Sequence, residues 1–444
     1  MASDMLNIAA SGTRAAQAAL NVTSQNIANV NTDGYVRRSV TQADVASFNT
    51  MGGGSGLVTL GGVRVTGTVR DVDAYQQSEV RRTGSDAARA DTLVTGLTNV
   101  NNAVDNSGLY DSITAYQTAL SKLAASPTDS ALRANALEAG RTMAQSFNQA
   151  SSALTATKTG LVQGATAGVT QVNTLATNLA TLNQKIASTP DPSAQADLLD
   201  QRDTMLQQLS QYGDVTTTIA SNGTVQVQMG GTSGPVLVSG STANTLAMSQ
   251  DSTGAISYTV GGSALSLSGG SLAGQQQAMT AAISAGSSLD TIANSMMSTV
   301  NSAQTNGAAL DGSAGQAMFS GSGAAGITLA LTSGSQIATA PSGSAANSSD
   351  ASNLNALISS LKSTDIAGQT NNLILTTSTA VSSNTTTRDA LDAIYSNAQS
   401  TMSAQSGVSL DEEAANLVRY QQAYQASGKV IQVAQTLFNQ LLQI

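Results

Sequence analysis

The sequence predicts a mainly α-helical fold with an inserted β-rich domain. Three observations predict it: heptad stripes at both ends of the chain, a helical apolar period across residues 73–212, and a switch to alternating β-branched residues after Gly213. At the N-terminus Leu6, Ala9, Thr13, Ala16, Leu20, Thr23, Ile27 and Val30 follow at steps of three and four, one face of an amphipathic helix. Asn29-Val30-Asn31-Thr32-Asp33-Gly34 ends it, because Asn tolerates and Gly favours the left-handed backbone that closes a helix. From Tyr35 to about Asp71, the β-branched Val63, Val65 and Val69 and the clusters Gly52-Gly53-Gly54 and Gly61-Gly62, flanking Leu57 to Leu60, indicate short strands or extended loop.

The helical pattern returns from Asp73. It is clearest where Val162, Val169, Val172, Leu175, Leu179, Leu182 and Ile186 share one side, with breaks at Ser126-Pro127 and Pro190-Asp191-Pro192. Asp191 is placed to cap, and Pro192 to open, a helix whose face is Leu198, Leu199, Arg202, Met205, Leu206 and Leu209. Beyond Gly213 the sets Val215/Thr217/Ile219, Val225/Val227/Met229, Val236/Val238 and Ile256/Tyr258/Val260 alternate between Gly-containing turns, the pattern of strands. Helix resumes with Leu289, Ile292, Met296 and Val300. A Gly/Ser-rich stretch with one expected strand, Ile327 to Leu331, leads to further helices from Leu354, broken at Ser406-Gly407.

In the last segment Ser409 and Glu412 have the spacing of a capping box, and Asp411 and Glu413 add negative charge to the first turn. Leu410, Leu417, Tyr424, Ile431 and Phe438 then recur every seven residues, with Tyr420, Ala434 and Leu441 in the second stripe. Short heptads with Ala, Thr and Ser at core positions are marginal alone and need neighbours to order them.

Composition narrows the function. The 444 residues carry 18 Lys and Arg against 27 Asp and Glu, a net charge of -9, so the basic footprint of a nucleic-acid binder is missing. There is no Cys and no His, which removes disulfides, thiolate metal sites, the commonest metal ligand and the usual acid/base group near neutral pH. Met1 to Leu20 lack a basic leader and a continuous apolar run, and Ser, Thr, Gln or Asn interrupts every apolar stretch, so neither a cleaved secretory signal nor membrane insertion is expected.

Two constellations could suggest chemistry. Ser359-x-x-Lys362 and Lys158-Thr159-Gly160 match pieces of a serine acyl-enzyme signature, but in the wrong order and on helical patterns, so both are read as solvated helix residues. Asp197, Asp200 and Asp203 stand at steps of three, each rotated about 60° from the last, and therefore spread over a face instead of converging on one ion. Arg202, with no acid four residues away, is expected to reach a neighbouring segment as part of a structural ion pair. No catalytic, cofactor-binding or metal-ligating residue is assigned.

The terminal residues carry a resemblance. Ile8-Ala9-Ala10-Ser11-Gly12, Ala15 to Leu20 and Asn26-Ile27-Ala28-Asn29-Val30-Asn31-Thr32-Asp33-Gly34-Tyr35 resemble the N-terminal motif of the bacterial flagellar rod, hook and hook-associated family. Ser406 to Leu417, with Tyr420-Gln421-Gln422-Ala423-Tyr424-Gln425-Ala426, is similar to the hook-associated type, and Gly62-Val63 with Arg70 and Asp73, Asp197 to Asp203, and Gly315 to Phe319 agree. Arg14, Asp33 and Ser427-Gly428 depart from the usual pattern.

The resemblance implies a structural protein without enzymatic activity or cofactor: an adaptor at the hook–filament junction, exported unfolded by the flagellar type III apparatus into the extracellular flagellum. Implied partners are the hook protein, a second junction protein, further copies of itself in a ring, and a cytosolic export chaperone at the C-terminal region. A hook or rod subunit of the same family and a secreted Ser/Thr/Gly-rich adhesin are the alternatives. The expected organisation is terminal shaft helices and extended region at 1–72 and 405–444, a helical bundle at 73–213, 271–304 and 350–404, and one outward β-rich domain from 214–270 and 305–349. The expected assembly interface is Leu6, Leu20, Ile27, Leu410, Leu417, Tyr424, Ile431, Phe438 and Leu441, with Ser409 and Glu412 as the helix cap.

Overall fold

The computed structural model describes residues 2–32, 34–48 and 58–442. Helix α1 (Ala2–Ala28) is followed by the antiparallel hairpin β1 (Arg38–Phe48) and β2 (Val58–Arg70). Four helices come next: α2 (Ala74–Asp105), α3 (Leu109–Ala125), α4 (Ser130–Ser188) and α5 (Pro192–Ser210). Their starts are written in aspartates. Asp73, Asp129 and Asp191 each turn a carboxylate onto the free N–H groups of the first turn, and Pro192, which has no N–H to satisfy, opens α5. The break between α2 and α3 was not expected. It falls at Asn106-Ser107-Gly108, where Gly108 takes the left-handed conformation (φ 62°) and lets α3 turn back without a proline.

Two small antiparallel sheets follow. β3 (Val215–Ile219), β4 (Val225–Met229), β5 (Val236–Ser239) and β6 (Thr242–Ala243) form one; β7 (Leu246–Gln250), β8 (Ile256–Val260) and β9 (Ser263–Leu265) form the other. Val225, Val227 and Met229 point inward and alternate with more exposed glutamines, as the period of two requires. Helix α6 (Gly270–Thr305) leads to β10 (Gly307–Ala308), β11 (Phe319–Ser320), the single turn α7 (Gly323–Gly326), β12 (Thr328–Leu329), a 3₁₀ turn at Gly334–Gln336 and β13 (Ala340–Pro341). The chain ends in α8 (Ser352–Thr364), α9 (Ile366–Ser406) and α10 (Leu410–Leu442).

The segments 214–270 and 305–349, expected to build one outer domain, have separate sheets and lie against different stretches of α4. Near its C-terminal end Asn183 donates to the carbonyls of Val225 and Gly240 and accepts from Val225 N–H, while Asn173 pairs both ways with Leu246. Near its start Asn148 holds the carbonyls of Ala324 and Ile327. There Arg133, almost wholly buried, donates to the carbonyls of Pro127, Gly334 and Ile337 and to the Thr339 hydroxyl. Each clamp satisfies loop backbone that would otherwise be buried unpaired, which is how short strands hold their places on a long helix.

Among the described residues, one continuous apolar core joins α2 through α9 and both sheets, running in sequence from Leu93 to Leu373 and including nothing from α1, the hairpin or α10. Those last three elements pack on one another. Helices α1 and α10 run antiparallel, with Gly12 against Ser427 and Asn26 against Glu413, and β2 lies along α1, where Ser11 Oγ accepts from Val63 N–H at 3.1 Å. The close approach is made by small side chains: Ala9, Ala16, Ala19, Thr23 and Ala434 are buried. Gly62 (φ 105°) is required there twice, by its backbone angle and because a Cβ would collide with Ser11.

Candidate functional site: the joint between the terminal arm and the body

The chain thus has two parts, a body with the apolar core and an arm made of α1, the β1–β2 hairpin and α10. Where they meet, the contacts are charged. Arg38 and Arg70 are direct partners across the hairpin. Helix α5 presents Asp197, Asp200 and Asp203 to them at its three-residue spacing. Arg38 donates to Asp197 at 2.6 Å and to Asp200 at 2.7 Å; Arg70 donates to Asp200 at 2.8 Å and to Asp203 at 2.7 Å. Arg202 then closes on Asp203 at 2.7 Å and donates to the Gly223 carbonyl at 2.6 Å. Gln77 of α2 gives Asp203 a further bond at 3.0 Å. The result is a ladder in which arginines and aspartates alternate.

Burial makes the ladder consequential. Asp200 and Arg202 are buried, and the side chains of Arg38 and Arg70 are 7% and 8% exposed, whereas that of Asp197 is 73% exposed. Burial works against the charge of Arg38, yet the bonds to Asp197 and Asp200 hold its pKa above the ordinary value. Burial also pushes Asp203 up, but Arg202 and Arg70 together outweigh it and hold the carboxyl below its ordinary value. At Asp200 the balance goes the other way: burial prevails over Arg70 and Arg38 and the pKa is raised.

A second hub ties the arm together. Asn26, buried on α1, donates to the Arg38 carbonyl at 2.9 Å and to Glu413 at 3.1 Å, and accepts from Arg38 N–H and the Tyr35 hydroxyl. With all its bonds made, this amide joins helix, hairpin and α10. Arg37 alongside pairs with Glu412 at 2.6 Å and Asp71 at 3.3 Å. Gly34 (φ 77°) brings its backbone against Thr204 of α5, where no Cβ would fit. Beside these contacts lies a cleft of about 520 Å³, lined from the arm side by Val30, Tyr35 and Val36 and from the body by Val80, Arg81 and Gln207.

The half of the joint on α5 was visible in the sequence; Arg202 reaches a neighbouring segment at the Gly223 carbonyl, but its ion pair is with Asp203 beside it on α5. The partners Arg38, Asn26 and Glu413 were missed. Their signal was the concentration of scarce cations, Arg37, Arg38, Arg64 and Arg70, within a stretch rich in β-branched residues.

Residues 94–319, just over half of the chain, match the family model described as the flagellar hook-associated protein FlgK helical domain. The chain belongs to this flagellar hook-associated family. The terminal elements match two further models, flagella basal body rod protein over residues 6–35 and flagellar basal body rod FlgEFG protein C-terminal over 399–444, so the arm and the family's helical domain are distinct in sequence as well as in packing. The chain is similar to flagellar hook-associated protein 1 of Salmonella typhimurium, 31% identical over 250 residues covering 55% of this chain and 44% of the relative. The corresponding protein of Escherichia coli is 30% identical, covering 55% and 45%, and that of Bacillus subtilis 29% identical, covering 47% and 43%. The chain therefore spans less than half the length of these relatives. A solved structure, the flagellar hook junction protein FlgK from Burkholderia pseudomallei, aligns with a TM-score of 0.49 at 28% identity, covering 55% of this chain and 46% of that one.

Within this family member the residues expected at an assembly interface are split. Leu6, Leu20, Ile27, Leu417 and Ile431 are half-buried, while Leu410, Tyr424 and Phe438 are exposed. The side chain of Leu441 lies outside the described residues, as do Leu57 and Asp33. The expected capping box is half built: Ser409 Oγ accepts from Glu412 N–H at 3.5 Å, but the Glu412 carboxylate turns to Arg37. Ser359 and Lys362 sit exposed on α8, the serine hydroxyl donating to the Asn355 carbonyl of its own helix. No helix among the described residues is long and apolar enough to cross a membrane.

Proposed function

We propose that the protein is a structural component of the bacterial flagellum, an adaptor at the hook–filament junction, assembled on the hook after type III export. The observation that carries this reading is the α1–α10 pair. Its small residues are already used in the antiparallel contact, and Leu410, Val418, Tyr424, Val430, Val433, Leu437 and Phe438 are left exposed along α10. Apolar side chains left exposed along the whole of a helix that belongs to a flagellar family are contacts awaiting neighbours. Copies of this chain in a ring, the hook protein below and a second junction protein above are the neighbours that would cover them. The role is structural, with neither catalytic step nor cofactor, and the finished protein lies outside the cell.

Before the arm has formed, the apolar residues of the same helix, Leu417 and Ile431 included, need protection in the cytosol, and an export chaperone that holds the C-terminal region meets that need. Replacing Leu417 and Ile431 with Asp is expected to weaken that complex, and unchanged affinity by calorimetry would place the chaperone elsewhere. The reading as a whole is tested by electron microscopy of a strain lacking the protein. Hooks without filaments are the expected result; normal filaments overturn the assignment.

A further inference from the structure

We propose that the guanidinium of Arg81, on α2 of the body, is kept for a carboxylate that a second copy of this chain inserts into the cleft beside it. The inference rests on the reading of the protein as a flagellar junction component, because copies meet in this way only in an assembly.

The starting point is a buried charge without a counter-charge. Arg38 pairs with Asp197 and Asp200, Arg70 with Asp200 and Asp203, and Arg202 with Asp203. Arg81 is left over. Among the described residues it makes no ion pair, and its one hydrogen bond, to the Thr217 hydroxyl, is long at 3.4 Å. Asp203 is close enough to act on it through space, but that carboxylate is filled: Oδ1 accepts twice from Arg202, and Oδ2 accepts from Arg70 and from Gln77. Arg81 is only 8% exposed, and burial lowers its pKa. A guanidinium stays charged even so, and holding it out of water is costly until an anion is brought to it.

The cleft describes the anion. It measures about 520 Å³, and its apolar walls include the buried Val36 and Val80 together with Met402 and Val408. An Asp or Glu side chain fits such walls, with its methylenes against the apolar residues and its head on the single unmatched cation. The chain is well supplied with such groups. It carries 27 Asp and Glu against 18 Lys and Arg, and residues 204–361 hold Asp214, Asp251, Asp290, Asp311 and Asp350 but no Lys or Arg, so a second copy has carboxylates that its own cations do not claim. The walls come from both arm and body, so the contact belongs to the assembled chain and is tested there.

Flagella from a strain making the Arg81→Lys chain are treated with a water-soluble carbodiimide, which joins an amine and a carboxylate in contact through an amide bond and takes up the water lost. Parent flagella control for the other lysines. The expected result is a covalent dimer of the chain that the parent lacks, with position 81 joined to an Asp or Glu by peptide mass spectrometry. A link at position 81 confined to one chain, as to Asp203, shows that Arg81 serves its own subunit and overturns the proposal. So does a link to the hook protein or to the second junction protein, and so does the absence of any link at position 81 in flagella that contain the variant. Those flagella still hold the protein at the junction, so the structural reading survives such a failure; flagella of the parent strain that lack the protein overturn that reading and this proposal together. Should the Arg81→Lys chain not assemble, electron cryomicroscopy of the parent junction decides: a carboxylate of a neighbouring copy within ion-pair distance of Arg81 supports the proposal, and a cleft without one overturns it.

Discussion

Arg38 and Arg70 stand directly opposite one another across the β1–β2 hairpin, and Asp200 accepts from both. Two like charges in that register repel, so the hairpin's end is compatible with itself only when α5 supplies the carboxylate between them. The local fold of the arm and its attachment to the body are therefore one electrostatic problem, solved by a residue more than a hundred positions away in sequence.

Removal of the shared carboxylate should be costly and local. Asp200→Ala leaves two guanidiniums facing each other with little water, and breaking a buried pair in this way costs about 3–5 kcal/mol. Asp197→Asn, at the exposed end of the ladder, should cost no more than about 1 kcal/mol. Denaturant unfolding gives the totals. Hydrogen exchange should place the loss in the hairpin and the facing turn of α5, and equal losses for the two variants would mean that the ladder does not act as a graded, buried network.

The two inner carboxylates make opposite contributions as the pH falls. Asp203 has a folded pKa below its ordinary 3.8, so the stability it contributes is present above that value and is lost as the pH falls through the folded one. Asp200 is raised above 3.8, so its cost is present above the folded value and disappears in acid. Asp203→Asn should accordingly flatten the decline of stability below about pH 4, while Asp200→Asn should leave the decline in place or steepen it. Urea titrations repeated through that range separate the two, and identical profiles would contradict the opposed shifts.

How much of this was legible follows from the range of each interaction. The aspartate caps, Pro192 and the alternation of β4 and β8 are local, and the chain states them within a few residues. The α2–α3 break was signalled only by Asn106-Ser107-Gly108, a weak stop without proline. The ladder was half legible, because a helix spacing shows three carboxylates on a face but cannot show that a hairpin brings Arg38 and Arg70 to it. Strand alternation in one β segment and Gly/Ser-rich composition in the other show no packing position; the separate sheets and their clamps, Asn183 toward one end of α4 and Arg133 at the other, do.

Arg133 offers a test in the body. Among the described residues no acid is bonded to it; backbone carbonyls and Thr339 take its fork of donors, and burial lowers its pKa. Arg133→Met should strand those carbonyls at about 1–3 kcal/mol each where water cannot replace the bonds, and Arg133→Lys should not restore them, since a compact ammonium cannot span the fork. Exchange protection should fall across residues 334–341 with the arm unaffected. Full rescue by Lys would show that charge, not the fork, is what the segment needs.

The last prediction separates contacts within the arm from contacts kept for neighbours. Ala434 is fully buried and Phe438, one helical turn on, is 50% exposed. Enlarging a filled contact forces neighbours off their rotamers at about 1–3 kcal/mol, so Ala434→Leu should lower the stability of the isolated chain and loosen α10 from α1. Truncating a half-exposed side chain removes little from the monomer, whereas the same Phe packed into a filled core would cost about 3–5 kcal/mol on truncation to Ala. Phe438→Ala should thus melt with the parent chain and be exported with it, yet fail to hold filaments on hooks, and the deficit would recur at every copy in the assembly. Thermal melting of the purified chains, set beside flagellin released into the medium by the corresponding strains, decides the matter. If Phe438→Ala melts several degrees lower as a monomer, its ring belongs to the folded arm, and the exposed stripe of α10 is not the surface on which the junction is built.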